Sequence, residues 1–206
     1  MTSITPIRSP KTDWLLTPEN AAVVIIDYQP TQIHSVNSIN TSELIRNIVI
    51  VAQAAKAYNL PIVLSTVNVA TTRNQETIPP LKQELADLPS YDRTSINAWE
   101  DAQFLAAVRN TNRKKLIMCA LWTEACLTFP ALDALHEGLE VFVVVDAVGG
   151  TSQRAHETAL DRLQQAGARL ITIPQLICEL QRDWNRQATV NDFLDLMFAN
   201  GAFVGL

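Results

Sequence analysis

Apolar residues occur along this chain in short continuous runs, and segments with helical spacing of apolar residues lie between the runs. Continuous runs of this kind are typical of strands buried on both faces of a sheet, because half-exposed strands alternate apolar and polar positions. Strands are predicted at 20–27, 61–67, 116–121, 140–146 and 169–173, with 88–97 irregular or strand-like. Helices are predicted at 41–59, 80–88, 100–110, 123–138 and 152–166, and two more within 174–200. This alternation predicts an α/β fold, a three-layer α/β/α sandwich with a central parallel sheet.

The length of 206 residues is sufficient for one domain with a full core, and we expect a single domain over 1–206. Residues 1–18 are interpreted as an N-terminal arm on the surface. Residues 185–206 are interpreted as a C-terminal helix and an apolar tail that forms an interface. The first residues lack the apolar core of a secretory signal, and no apolar run is long enough to span a membrane. A cytoplasmic protein is therefore expected.

The composition and the absence of certain motifs reduce the number of ligand classes that the protein is expected to bind. The formal net charge is −5, and without a cluster of basic residues the chain is not expected to bind nucleic acid. The three cysteines show no CxxC spacing, and the three histidines show no metal-ligand spacing. The turn after the first strand contains no glycine, and there is no P-loop pattern, so nucleotide cofactors are not expected. The expected partner is a small molecule, with no metal and no cofactor.

The segment Lys114–Pro130, KKLIMCALWTEACLTFP, carries the strongest chemical signal. A buried strand leads directly into a helix, and Cys126 lies in the first helical turn. Free N–H groups and the positive end of the helix dipole favour a thiolate at such a position. The alternative is that Cys126 is a small buried apolar residue, which is a common role of free cysteine. Pro130 would leave the Cys126 carbonyl without its usual helical donor, although a bend alone also explains this proline.

An acid at the end of the first strand is the second candidate. Because parallel strands end at the same edge of the sheet, the Asp27 carboxylate is expected near Cys126 and able to accept its proton. The alternative is that Asp27 only caps a loop. Asn97, Trp99 and Trp122 are candidates for an apolar pocket wall, with burial in the core as the more frequent role of such aromatic residues.

Several stretches in order along the chain resemble one family. They are VVIIDYQ at 23–29, YDRTSINAWED at 91–101, ALWTEACLTFPAL at 120–132, VFVVVDA at 141–147 and ELQRDW at 179–184. Together they resemble the isochorismatase-like cysteine hydrolases, most closely the YcaC-type branch. The fold implied by this resemblance is the same three-layer sandwich. The implied assembly is a large ring-like homo-oligomer, with an octamer as the candidate size.

The resemblance also implies a catalytic triad of an acid, a lysine and a cysteine. The acid and the cysteine fall on Asp27 and Cys126, and the lysine position is occupied by Arg93. A guanidinium stays protonated, so Arg93 is expected to act electrostatically and not to transfer a proton. The alternative is a surface arginine in an irregular segment.

Further features follow from the resemblance alone. It implies an oxyanion hole formed by the amides of Trp122 and Cys126, and a cis peptide between Leu121 and Trp122. It also places Gln29, Asn97, Trp99 and Trp122 around a substrate pocket.

The expected activity is hydrolysis of a small-molecule amide or related C–N bond through a thioester acyl-enzyme. A vinyl-ether hydrolase and a non-catalytic oligomeric protein remain alternatives. Nicotinamidase activity is disfavoured, because the segment 68–77 contains no histidine where those enzymes carry metal ligands.

Overall fold

A computed structural model describes residues 8–203 and shows a six-stranded parallel sheet. The strands are β1 (Ala21–Ile26), β2 (Ile62–Val67), β3 (Ser90–Arg93), β4 (Lys115–Ala120), β5 (Glu140–Val144) and β6 (Arg169–Ile171). Their order in the sheet is β3-β2-β1-β4-β5-β6. The chain therefore moves outward from β1 to β3 and then crosses back to the other side of β1. The gap between β1 and β4 is the topological switch point, where α/β sheets place their ligands.

Helices cover both faces of the sheet, which confirms the three-layer α/β fold. They are α1 (Pro30–Ser35), α2 (Thr41–Ala57), α3 (Pro79–Glu84), α4 (Ala102–Asn110), α5 (Thr128–His136), α6 (Gln153–Gln165), α7 (Ile173–Gln181) and α8 (Val190–Asn200). Contacts between elements place α2, α3, α7 and α8 on one face and α4, α5 and α6 on the other. This division is the one that right-handed crossovers produce when the strand order reverses.

The continuous apolar runs have the structural basis that was expected. Every residue of β1 and of β4 is buried, because both strands lie in the middle of the sheet with helices on each side. The helix starts follow local capping rules. The Asn40 side chain accepts the Ser42 N–H at 2.9 Å before α2, and Asp101 caps α4 in the same way.

Two elements differ from the sequence-based expectation. Residues 30–35 form helix α1, where the sequence analysis predicted no helix; Pro30 at the first helical position presets the helical φ angle. The predicted helix over 123–138 begins instead with a π-helical turn, Thr123–Leu127, before α5.

The segment before β1 is not a surface arm as far as the structure describes it, from residue 8 onward. Leu16 is fully buried, and the buried Lys115 ammonium donates to the carbonyls of Asp13 at 2.7 Å and Trp14 at 2.6 Å. Residues 1–7 of the predicted arm and the last residues of the predicted tail, 204–206, lie outside the described part of the chain. No helix among residues 8–203 is long and apolar enough to cross a membrane.

Candidate active site

Asp27 and Cys126 lie at the carboxyl edge of the sheet, at the switch point between β1 and β4. Ile26 of β1 pairs with Ala120 of β4, so both chains leave the sheet at the same level. Asp27 is fully buried and has a φ angle of +62°, which is uncommon for a residue with a side chain. Its backbone N–H donates to the Ser65 carbonyl at 3.0 Å. Such a conformation costs free energy and persists where the surroundings enforce it, which is frequent at functional sites.

Arg93, the last residue of β3, forms a bidentate ion pair with Asp27. Nη1 donates to Oδ1 at 2.7 Å, and Nη2 donates to Oδ2 at 2.8 Å. Nη1 also lies 3.1 Å from Ser65 Oγ and 3.0 Å from the Thr66 carbonyl, and Nη2 lies 3.2 Å from the Ile96 carbonyl. Both members of the pair are buried, so Arg93 is not the surface arginine of the alternative interpretation. The matched geometry is that in which a guanidinium binds a carboxylate most strongly.

Cys126 lies in the π-helical turn between β4 and α5. The Trp122 carbonyl accepts N–H groups from both Ala125 and Leu127, each at 3.1 Å. Pro130 has no N–H to donate to the Cys126 carbonyl, so the ordinary helical bond cannot form there. Single π-turns within helices occur frequently at functional sites. The peptide bond between Leu121 and Trp122 is cis.

The Cys126 thiol is 7% exposed, and it is close enough to the Asp27 carboxylate and the Trp122 backbone N–H for both groups to act on its pKa. Burial, followed by the charge of the nearby Asp27 carboxylate, raises the pKa of Cys126 to about 12. The Arg93 charge and the Trp122 amide oppose that rise. The expectation that a helix start favours a thiolate is therefore wrong for the resting site, where the thiol is neutral. Loss of solvation and a neighbouring carboxylate outweigh the dipole of a short turn.

Burial also raises the pKa of the Asp27 carboxyl, and the hydrogen bonds and charge of Arg93 oppose that rise. A carboxylate with a raised pKa is a stronger base than an ordinary aspartate. The site thus contains a neutral thiol, a carboxylate near it, and a permanent cation that pairs with the carboxylate.

Gln29 does not line a pocket, although it was expected to. Its side chain is fully buried and bonds only to the backbone: Nε2 donates to the carbonyls of Val67 at 3.0 Å and Gln75 at 2.6 Å, and Oε1 accepts the Val67 N–H. Gln29 therefore fixes the loop after β2 beside the site. Any effect of Gln29 on Asp27, two residues earlier in the chain, is exerted through the backbone.

The side chains of Asn97 and Trp99 also form hydrogen bonds within the fold. Asn97 Nδ2 donates to Asp133 at 2.7 Å, and the buried Trp99 indole donates to Glu137 at 2.9 Å. Asp133 lies on α5 and Glu137 directly follows that helix, so Asn97 and Trp99 are bonded to this part of the fold, and their place at a substrate pocket stays a prediction. Trp122 is only partly buried and stays beside the sulfur, with its indole donating to Ser35 Oγ at 2.7 Å.

A loop that the sequence analysis did not include holds the cysteine turn in place. The Thr123 N–H donates to the Gly149 carbonyl at 3.0 Å. Glu124 Oε1 accepts from the backbone and the hydroxyl of Thr151, at 2.9 and 2.6 Å. A Cβ atom at Gly150 would lie 2.6 Å from Glu124 Oε2, so a side chain at this position would displace the Glu124 carboxylate. The glycine pair after the fifth strand was the available signal.

Among residues 8–203, no three His, Cys, Asp or Glu side chains lie close enough together to hold a metal ion.

Comparisons with known proteins agree with this architecture. The model of the family described as "Isochorismatase domain" matches residues 21–175. The chain is 40% identical over 166 residues to the "Probable hydrolase YcaC" of Escherichia coli, covering 80% of this chain and 79% of the relative.

Two solved structures are similar over nearly the whole chain. The structure of the Escherichia coli YcaC gene product, described as an octameric hydrolase of unknown specificity, has a TM-score of 0.81 at 35% identity. It covers 94% of this chain and 100% of its own. YcaC from Pseudomonas aeruginosa, with hexane-2,5-diol and covalent acrylamide, has a TM-score of 0.81 at 32% identity and covers 92% and 98%.

The family match spans most of the chain, and the YcaC proteins share both its sequence and its fold. The chain therefore belongs to the isochorismatase family of hydrolases, in its YcaC-type branch.

Proposed function

We propose that the protein hydrolyses a small-molecule amide or related C–N bond, with Cys126 as the nucleophile and a thioester as the intermediate. The observation that carries the proposal is the buried arrangement in which the Cys126 thiol lies near the Asp27 carboxylate while Arg93 holds that carboxylate with two hydrogen bonds. A nucleophile, a base and a group that orients the base are the parts that covalent catalysis requires.

The proposed reaction balances in protons and electrons with Cys126, Asp27, the substrate and one water molecule. Asp27 accepts the thiol proton as the sulfur forms a bond to the carbonyl carbon. The protonated carboxyl then gives that proton to the leaving nitrogen as the C–N bond breaks, leaving a thioester. In the second half, Asp27 takes a proton from water, the resulting hydroxyl attacks the thioester, and the released sulfur regains its proton.

The raised thiol pKa fits this order of events. A resting thiolate is not required, because the proton leaves during attack and stays within the pair. Arg93 orients Asp27 and cannot take part in the transfer itself. The amides of Trp122 and Cys126 are proposed to bind the developing oxyanion, for which the loss of one donor typically costs about 3–4 kcal/mol.

The Pseudomonas aeruginosa relative supports the proposal, since its structure includes covalent acrylamide. Acrylamide is a small electrophile that carries an amide, and it bonds covalently to nucleophilic side chains such as a cysteine sulfur.

The test is turnover of an amide library by the wild-type protein and by Cys126→Ala. Release of amine by the wild type only, together with a Cys126 acyl adduct in quenched samples, is the expected result. Amine release that survives in Cys126→Ala would contradict the proposal. A matched Cys178→Ala variant controls for thiol loss, because Cys178 is exposed and lies on α7, far along the chain.

Two other functions lead to different outcomes. The family match favours vinyl-ether cleavage of the isochorismatase type, which does not need the cysteine and would persist in Cys126→Ala. A non-catalytic protein that keeps the fold would release no product from any library member, and Cys126 would form no adduct.

We further propose that the protein is a homo-oligomer, because its Escherichia coli relative is octameric. Trp184 and Phe198 near the C-terminal end are 62% and 49% exposed in the single chain, which is typical of a surface that another subunit covers. In sedimentation experiments the wild type should have the mass of an oligomer, and Phe198→Asp should shift the protein toward smaller species. A stable monomer at micromolar concentration would contradict this.

A further inference from the structure

We infer that the site accepts an uncharged acyl group and discriminates against an anionic one. The inference rests on the proposed function of Cys126 and specifies the substrate class of that function. Three observations support it: the bonds already made by Arg93, the other charges that act on the pair, and the exposed apolar side chains that lie close along the chain to site residues.

Arg93 has little binding capacity left for a substrate carboxylate. Its two terminal nitrogens donate to both Asp27 oxygens, to Ser65 Oγ and to the carbonyls of Thr66 and Ile96. The remaining Nε–H is buried and has no partner. Because the Asp27 carboxylate already balances the guanidinium charge, a second carboxylate would meet no uncompensated cation there.

The other charges that act on the pair are acidic. The charge of Asp92, which precedes Arg93 in the chain, contributes to the raised pKa of Asp27, and the charge of Asp101 contributes to the raised pKa of Arg93. Together with Asp27 they contribute three negative charges, whereas Arg93 contributes one positive charge. In a poorly solvated site, an incoming anion would be repelled at short range.

Two exposed side chains that are close along the chain to site residues are apolar. Ile96 is 63% exposed, and its carbonyl accepts a hydrogen bond from Arg93; Phe129 is 37% exposed and lies three residues after Cys126. Trp122 is partly exposed and lies four residues before Cys126. These three residues, termed the apolar rim, suit uncharged substituents and supply no countercharge for an anion.

Iodoacetamide and iodoacetate are a matched pair of probes for this inference. With either probe the thiolate sulfur forms a bond to the methylene carbon and iodide leaves, and the probes differ only in charge. Because both react with the same thiolate, the ratio of their rates does not depend on the thiol pKa. The ratio should be measured at Cys126 by peptide mass spectrometry in a Cys178→Ser protein, at pH 9–10, with N-acetylcysteine amide as the reference thiol.

The iodoacetamide-to-iodoacetate rate ratio at Cys126 is expected to exceed that of the reference thiol at least about tenfold. Phe129→Arg should lower the ratio about threefold or more by adding a cation to the rim. Gln164→Arg at the exposed C-terminal end of α6 is the control and should leave the ratio unchanged. If Phe129→Arg does not fold, Ile96→Arg provides the same test at the exposed rim position.

Each result has a distinct meaning. A ratio at Cys126 equal to that of the reference thiol would overturn the inference while leaving a reactive Cys126 intact. An elevated ratio that neither arginine variant lowers would overturn the contribution of the rim. No reaction with either probe in the folded protein, with normal labelling after denaturation, would remove the proposed function itself.

Discussion

Substitution of Asp27 by asparagine should change thiol reactivity and hydrolysis in opposite directions. With a pKa of about 12, roughly one Cys126 thiol in 10⁵ is ionised at pH 7. Burial and the charge of the nearby Asp27 carboxylate both raise this pKa. A neighbouring charge typically shifts a pKa by about 1–3 units, so Asp27→Asn should alkylate about 10- to 1,000-fold faster near neutral pH. Hydrolysis should be lost, because the base is gone.

The assay is the rate of iodoacetamide labelling of Cys126 between pH 6 and 11, measured beside amide turnover. The labelling curve of Asp27→Asn should shift to lower pH, where Arg93 now faces the thiol without a carboxylate. Asp133→Asn is the control, because Asp133 bonds to Asn97 and is not among the groups that act on the thiol. Labelling of Asp27→Asn that is equal to or slower than the wild type would refute the assignment of Asp27 as the thiol's partner.

Three other predictions concern groups around the pair. Arg93→Met should lower the free energy of unfolding by about 3–5 kcal/mol in urea titrations, since it leaves Asp27 buried without its partner, and Arg93→Lys should lose less. In Arg93→Met the folded-state pKa of Asp27 rises further. The loss of unfolding free energy relative to the wild type should therefore be smallest below the unfolded pKa near 4 and should grow as pH rises. A loss of unfolding free energy that does not depend on pH would contradict this. Gly150→Ala should lower both the melting temperature and Cys126 labelling, and adding Glu124→Ala should restore part of each; strictly additive effects would argue against the close contact with Glu124 Oε2.

The sheet and its chemistry-bearing edge were predictable from the sequence because both depend on local patterns. Continuous apolar runs identified β1 and β4, and the parallel sheet they imply brings Asp27 and Cys126 to one edge. The position of Arg93 came from resemblance alone. Its side chain reaches the site across β2, and that reach is set by tertiary packing.

The thiol pKa and the pocket residues could not be predicted for the same reason. The helix-start argument considered one turn of backbone, whereas the pKa of Cys126 depends on burial and on a carboxylate 99 positions earlier in the chain. Gln29, Asn97 and Trp99 were assigned to a pocket from the family resemblance and, for Asn97 and Trp99, also from their residue types. In the structure, the side chain of Gln29 bonds to the backbone, and those of Asn97 and Trp99 bond to Asp133 and Glu137.

The contact of Glu124 with the loop after β5 was likewise invisible in the sequence. Acid and threonine side chains 27 positions apart give no periodic signal. The glycine pair at 149–150 is a weak signal of a loop and does not identify Glu124 as its partner.

The most direct test of the central claim is intact-protein mass spectrometry during turnover of an uncharged amide, with acid quenching on the millisecond scale. The account predicts a mass increase equal to the acyl group, located on Cys126 by peptide mapping and lost as free acid is released. Cys126→Ala should show neither the adduct nor the product. Product formation at the wild-type rate by Cys126→Ala, with no adduct on the wild-type cysteine at any time, would contradict it.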